Sequence, residues 1–174
     1  EWVDIANHEY TPATNVSEHF NTVIYDGTGL TNPITGIGFQ PDLVWIKRIN
    51  IATANHYIVD TVRGNGSNTY KNLASNEAQA EGTTTSSGIT NSTIVDGGFT
   101  MQGTGARTNA NGSKYVAWCF KAGGAAVSNT DGTITSQVSA NNDLGFSIVE
   151  FNSGTTHPYT TGHGLDSKPE MIIS

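Results

Sequence analysis

Short runs of β-branched and aromatic residues recur along the chain, and Gly, Asn or Pro stands between them. Such runs predict strands joined by tight turns. No segment of useful length repeats its apolar residues with the period of a helix. The predicted strands are Phe20–Asp26, Asp42–Ile49, Tyr57–Val62, Thr93–Met101, Tyr115–Lys121 and Phe146–Phe151. The pattern therefore predicts an all-β fold, an antiparallel two-sheet β-sandwich of jelly-roll or lectin-like type.

The segments between these strands are polar. Asn76–Thr90 is rich in Gly, Ser and Thr, and we predict a long exposed loop there, after a short helical turn within Lys71–Ala80. Gly97 and Gly98 interrupt a predicted strand, where they indicate a bulge or a turn.

Charge and apolar content exclude two classes of partner. The formal net charge is −7, and the Lys and Arg residues are scattered. Nucleic-acid binding requires a basic patch, so no nucleic-acid partner is expected. No apolar run approaches the length of a membrane helix, so no membrane insertion is expected.

The single cysteine, Cys119, excludes an internal disulfide. It is expected to be a packed thiol, and Trp45 and Trp118 are expected in the core because they lie in apolar runs.

A phrase from the first half of the chain recurs near its end. TGIGFQPDLVWIK occupies Thr35–Lys47, and TGHGLDSKPEMII occupies Thr161–Ile173. The strands before them begin at Phe20 and Phe146, 126 residues apart. The shared order of glycines, proline and apolar run indicates tandem domains rather than a solenoid of short repeats. The expected division is a linker or edge strand in 1–19, a β-sandwich domain in 20–126 and the beginning of a second, truncated copy in 127–174.

The candidate binding residues lie in the polar loops. Glycan binding requires an aromatic platform with amide donors and acceptors nearby, and loops carry such sites more often than strands do. The segments Arg63–Thr90 and Gly103–Gly112 are the ones in which function is expected. The candidate ligand-binding residues, all expected in exposed loops, are Asn65, Asn68, Tyr70, Asn109 and Asn111.

The sequence predicts no catalytic or metal-binding residues. The aspartates stand mostly at turns and strand ends, where they bond their own backbone, and no GxSxG or HExxH motif occurs. Asp60 and Arg63 are expected to form a structural ion pair. No cofactor is predicted. Calcium at the turns Asp26–Gly29 or Asn129–Gly132 stays an alternative, although the chain has no DxDxDG loop.

Several phrases together resemble a known family. FNTVIYDGTG, ITGIGFQPDLVWIK, DTVRG, DGGFTMQG, YVAWCFKAGG and AAVSNTDGTITSQVSAN follow one another from Phe20 on. They resemble a domain that recurs, often in tandem, in tail and fibre proteins of phages, especially marine phages. The resemblance covers almost the whole chain from Phe20. It implies a virion structural protein in a tail fibre, spike or similar appendage, and it brings no catalytic residue.

The resemblance also implies a setting and partners. The protein would be made in the host cytoplasm and assembled into the virion. Its partners would be other virion proteins, further copies of itself (most simply a trimer) and host-surface glycans, which it would bind by avidity. One alternative is a purely structural head or tail decoration or assembly module that binds only virion proteins. Another is a polysaccharide depolymerase.

Overall fold

The computed structural model describes residues 15–63, 70–84, 88–89, 93–154 and 157–174. A 3₁₀ turn at Val16–Glu18 is followed by strands only. The strands are β1 (Phe20–Asp26), β2 (Asn32–Ile34), β3 (Leu43–Arg48), β4 (Tyr57–Asp60), β5 (Tyr70–Asn72), β6 (Gly82–Thr84), β7 (Ile94–Val95), β8 (Gly98–Met101), β9 (Lys114–Phe120), β10 (Val127–Asn129), β11 (Ser136–Asn141) and β12 (Phe146–Phe151). Every pairing between them is antiparallel, which confirms the all-β antiparallel prediction.

The four-stranded sheet with the order β1-β9-β3-β4 is the largest in the described part of the chain, and we call it the large sheet. A three-stranded sheet, β2-β8-β7, is called the small sheet. Gly98 begins β8 where that strand passes close to β2: a Cβ on this residue would lie 2.0 Å from the carbonyl oxygen of Ile34. Only glycine allows this approach.

One hydrophobic core joins these two sheets. The inner face of the large sheet contributes alternate residues of each strand, as the period of two in a strand requires. Tyr115, Ala117 and Cys119 of β9 are fully buried, and Phe99 and Met101 of β8 meet them from the small sheet. Burial raises the pKa of the Cys119 thiol to about 12. The expectation of a packed thiol is confirmed, because Cys119 is fully buried.

The strands after residue 126 form a separate sheet, β10-β11-β12, which we call the C-terminal sheet. It packs on the end of the large sheet. The ring of Phe146 stacks on Phe120 with centroids 5.3 Å apart. The Ser139 hydroxyl accepts the Gly123 N–H at 2.9 Å and donates to the carbonyl oxygen of Gly124 at 2.8 Å. Side chains and backbone thus connect the segments before and after residue 126.

The two copies of the repeated phrase share only part of their backbone geometry and differ in their surroundings: Gly36 has a φ of 83°, whereas the aligned Gly162 has no positive φ. Gly38 and Gly164, which align, both adopt positive φ, of 90° and 70°. The apolar run at the end of the first copy lies in β3, near the middle of the large sheet. The matching residues Met171, Ile172 and Ile173 form no strand and are 65–80% exposed.

Most predicted strands are present, but some segments differ from the prediction. Phe20–Asp26 and Phe146–Phe151 are strands with the predicted bounds, and Gly97 lies in a turn between β7 and β8. The helical turn expected within Lys71–Ala80 is wrong, because β5 occupies its beginning and pairs with β6. The strands β2, β5, β6, β10 and β11 were not predicted. No helix in the described segments is long and apolar enough to cross a membrane.

Candidate binding surface

The outer face of the large sheet carries two neighbouring tryptophans. Trp45 of β3 and Trp118 of β9 are directly opposite in the strand register. Their ring centroids are 6.1 Å apart and their planes meet at 73°, an edge-to-face pair. Both side chains are half-buried. The expectation that these tryptophans lie in the core is therefore wrong: the pleat turns Val44, Ile46 and Cys119 inward and both indoles outward.

His56 holds the orientation of the Trp45 ring. The indole Nε1–H of Trp45 donates to Nδ1 of His56 at 2.8 Å, and the two rings meet edge to face with centroids 5.7 Å apart. Because an indole nitrogen only donates, His56 Nδ1 must be unprotonated and the proton of the neutral ring sits on Nε2. Burial, together with the positive charge of Lys47, lowers the pKa of His56. The ring is therefore held neutral, with one N–H available on Nε2.

A chain of polar side chains lies next to His56. The backbone N–H of His56 donates to Oδ1 of Asn76 at 3.0 Å, and Nδ2 of Asn76 donates to Oδ1 of Asn55 at 3.0 Å. Asn55 in turn donates to a carboxylate oxygen of Glu77. Asn76 and Glu77 are exposed, as predicted for the start of the Asn76–Thr90 loop. The rings of Trp45, Trp118 and His56, with this polar rim, form what we call the aromatic face.

Apolar residues extend the aromatic face across the sheet. Ile24 of β1 is 66% exposed, and Val116 of β9 is half-buried beside it in the register. Phe20 and Phe120 approach with ring centroids 4.8 Å apart at the opposite end of these strands. The outer face thus combines exposed apolar area with hydrogen-bonding groups at one side.

Of the residues predicted as ligand-binding, the structure describes the side chains of Asn109 and Asn111. Asn65 and Asn68 lie outside the described residues. Tyr70 begins β5, but its side chain lies outside what the structure describes. Asn111 is exposed, as expected. Asn109 is fully buried, so its expected position in an exposed loop is wrong.

Asn109 is buried because its amide organises the turn after β1. Its Nδ2 donates to the carbonyl oxygens of Leu30 and Gly103, at 2.6 and 2.8 Å. Its Oδ1 accepts the Thr28 N–H at 3.0 Å and Nδ2 of Asn32 at 3.1 Å. The amide is saturated by protein groups, and a buried polar side chain is tolerated only when it is satisfied in this way.

Several carboxylates are committed to structural contacts. Asp60 accepts the N–H groups of Val62 and Arg63 at 3.0 and 2.8 Å, and its other oxygen pairs with Nε of Arg63 at 2.5 Å. The predicted ion pair is therefore confirmed, since the turn brings together residues that a straight strand would separate. Arg63 also pairs with Glu81, and Asp26 pairs with Lys114 at 2.7 Å.

The calcium alternative involved Asn129–Gly132. There Nδ2 of Asn129 donates to Oδ2 of Asp131 at 3.1 Å, and the Asp131 N–H donates back to Oδ1 of Asn129 at 2.9 Å. Such contacts are the ordinary self-bonding of an Asx turn. Across the residues that the structure describes, no three His, Cys, Asp or Glu side chains are grouped as metal ligands.

A polar cleft of about 580 Å³ lies between the large and C-terminal sheets, with His19, Asp42, Lys121 and Asn141 among its lining. Asp42 Oδ2 already accepts the N–H groups of Ala122 and Gly124, at 2.8 and 3.3 Å. Asn141 Nδ2 donates to the Lys121 carbonyl oxygen at 3.1 Å and contacts His19 Nδ1 at 3.0 Å. The polar groups of the cleft are therefore occupied by hydrogen bonds that hold the two sheets together. For this reason the aromatic face is the better candidate site.

Comparison with known proteins adds a family but no activity. Residues 15–174 match the model of a family described as "Domain of unknown function (DUF7483)". No curated protein and no solved structure matches the chain.

Proposed function

The chain belongs to the DUF7483 family, whose description assigns no activity, and we propose that it is a non-enzymatic module of a phage virion appendage. In this proposal the large and small sheets form a β-sandwich of jelly-roll or lectin-like type. The module sits in a tail fibre or spike as a homo-oligomer, most simply a trimer. Its aromatic face binds glycans on the host surface.

The aromatic face carries this proposal. Sugar rings have apolar C–H faces that stack on aromatic side chains, while their hydroxyl groups need hydrogen-bond partners at the edge. Trp45 and Trp118 offer rings on a rigid sheet, and His56 fixes the orientation of Trp45. Asn55, Asn76 and Glu77 offer oxygen and nitrogen atoms at one border. Rigid rings lose little conformational entropy on binding, which favours recognition.

The virion setting is supported by the resemblance of the quoted motifs to phage tail and fibre domains. The appendage of a particle presents several copies of each module, so weak contacts with surface glycans multiply into stable attachment. In the same proposal the binding module needs no cofactor.

Three carboxylates are already bound to backbone N–H groups or to a lysine, which supports a non-enzymatic role. Glycoside hydrolysis uses two facing carboxyl groups, about 5–10 Å apart, with free oxygens. Asp42 and Asp60 are buried and accept backbone N–H groups, and Asp26 is neutralised by Lys114. A depolymerase would release new reducing ends from host polysaccharide, and we expect none in a reducing-sugar assay.

The test is glycan binding by tryptophan variants. Wild-type protein is screened against purified host-envelope polysaccharides and whole cells, and the affinity for any hit is measured by titration calorimetry. Trp45→Ala and Trp118→Ala should each weaken binding about tenfold or more, since each removes a stacking surface. Phe151→Ala removes an exposed aromatic ring of the C-terminal sheet and should leave binding unchanged. Thermal unfolding of each variant confirms that it is folded.

Exposed aliphatic side chains favour the second candidate, a structural module that binds only virion proteins. Ile24 and Val127 are 66% and 65% exposed, and Met171 and Ile172 are 77% and 80% exposed. Exposed apolar patches mark protein contacts in many soluble proteins. This candidate replaces the first if the wild type binds no glycan or cell but co-purifies with another protein of the particle.

A further inference from the structure

The outer face of the large sheet carries two lysines that differ in their ion pairing. Lys114 of β9 is neutralised by Asp26, with Nζ and Oδ1 2.7 Å apart. Lys47 of β3 forms no ion pair with any carboxylate in the described segments; its Nζ donates to the carbonyl oxygen of Arg48 at 2.8 Å. Among the described residues, Lys47 therefore has no carboxylate within ion-pair distance.

Lys47 lies beside the tryptophans. Lys47 follows Trp45 by two residues in β3, so both side chains lie on the outer face. Residues at this spacing are about 6–7 Å apart along a strand, close to the width of one sugar ring. The positive charge of Lys47 also acts on His56, which places the two groups in one electrostatic environment.

From this arrangement we propose that the aromatic face selects acidic sugars, with a uronic acid ring stacked on Trp45 and its carboxylate paired with Lys47. The inference rests on the proposed glycan-binding function and names its ligand class. The Nε2–H of the neutral His56 ring supplies a second donor beside Lys47. A charge-assisted hydrogen bond is about twice as strong as a neutral one. Stacking alone accepts neutral and acidic sugar rings alike, so the pairing with Lys47 is what distinguishes the acidic ring.

The acidic character of the whole chain does not oppose this pairing at short range. The net charge of −7 repels an anionic polymer at a distance. At physiological salt this repulsion is screened over about 8 Å, and in more concentrated salt over less. A contact between Lys47 and a carboxylate is screened far less than the diffuse repulsion. We therefore expect uronate binding to strengthen or hold steady from about 20 to 150 mM salt rather than collapse.

The experiment compares one ligand in charged and neutral form. Hexagalacturonate and its fully methyl-esterified counterpart share ring and linkage, and only the first carries carboxylates. Both are titrated into wild type, Lys47→Met, Trp45→Ala and Lys114→Met. Lys114→Met changes the net charge equally on the same sheet face, so it separates a local contact from a general electrostatic effect.

The expected result is a preference of wild type for the acid of about tenfold or more. Lys47→Met should lose that preference while keeping its affinity for the ester, Lys114→Met should keep it, and Trp45→Ala should lose both ligands. Equal binding of acid and ester by wild type, or equal effects of the two lysine variants, overturns the acidic-sugar inference alone. Absence of binding to both ligands, to host polysaccharides and to cells overturns the proposed glycan-binding function with it.

Discussion

At the scale of single residues, the burial of His56 makes stability depend on pH. The pKa of His56 is lowered in the folded protein, first by burial and then by Lys47. As pH falls below about 6.5, the unfolded chain therefore binds a proton before the folded one does. The free energy of unfolding should decrease as pH falls through this window and be constant with respect to His56 above it. Urea unfolding at several pH values between 5 and 7.5 measures this.

The matched variant for this prediction is His56→Gln, whose side-chain oxygen can still accept from Trp45 but does not titrate. It should show a shallower decrease in stability than wild type toward pH 5. His157→Gln, at an exposed position, should follow wild type. Parallel curves for wild type and His56→Gln would show that the shifted His56 titration does not govern stability.

The orientation of the tryptophans was predictable from strand parity, although we predicted a core position. Trp45 shares its strand face with Lys47, and Trp118 shares its face with Lys114. Lysine is almost never fully buried, so each pair points outward. The apolar run from Leu43 to Ile46 concealed this, because a strand covered on both faces reads as continuously hydrophobic. The His56 contact has no local signal, since it depends on the pairing of β3 with β4.

At the scale of elements, the buried amide of Asn109 connects the turn between β1 and β2 to the loop before β9. Asn109→Ala removes four side-chain hydrogen bonds from a position that is fully buried. We expect a loss of about 3 kcal/mol in the free energy of unfolding, measured by urea denaturation. Asn111→Ala, two residues away and exposed, should change it by less than about 0.5 kcal/mol. Similar values for both variants would contradict the structural role of Asn109.

The same contrast shows which elements the sequence could predict. Strands with alternating or continuous apolar residues, such as Phe20–Asp26, were predicted because the spacing of their apolar residues indicates which side chains are buried. The polar strands Tyr70–Asn72 and Ser136–Asn141 have no such pattern and are strands because they pair with the next strand along the chain, β6 and β12. Asn109 was predicted as exposed for a different reason: its partners Thr28 and Asn32 are about 80 residues away in the chain.

At the scale of the whole molecule, the open question is whether residues 20–126 and 127–174 fold as independent domains. The repeat of the TGIGFQPDLVWIK phrase predicts two domains, whereas the contacts of Phe146 and Ser139 join the segments. Coupled segments unfold in one transition, and independent ones unfold in two. The phage setting and the glycan ligand are separate proposals that either outcome leaves standing.

Phe146→Ala tests the coupling, because Phe146 belongs to the C-terminal sheet but stacks on Phe120 of the large sheet. In a Trp2→Phe background, fluorescence reports only Trp45 and Trp118 of the large sheet, and circular dichroism reports all strands. We expect both signals to shift together, with a loss of about 2 kcal/mol. Phe151→Ala, at a 43% exposed position of the same C-terminal sheet, should cost less than about 1 kcal/mol. If Phe146→Ala leaves the fluorescence transition in place while the circular dichroism transition divides in two, the segments are independent domains and the stack of Phe146 on Phe120 is only a contact between them.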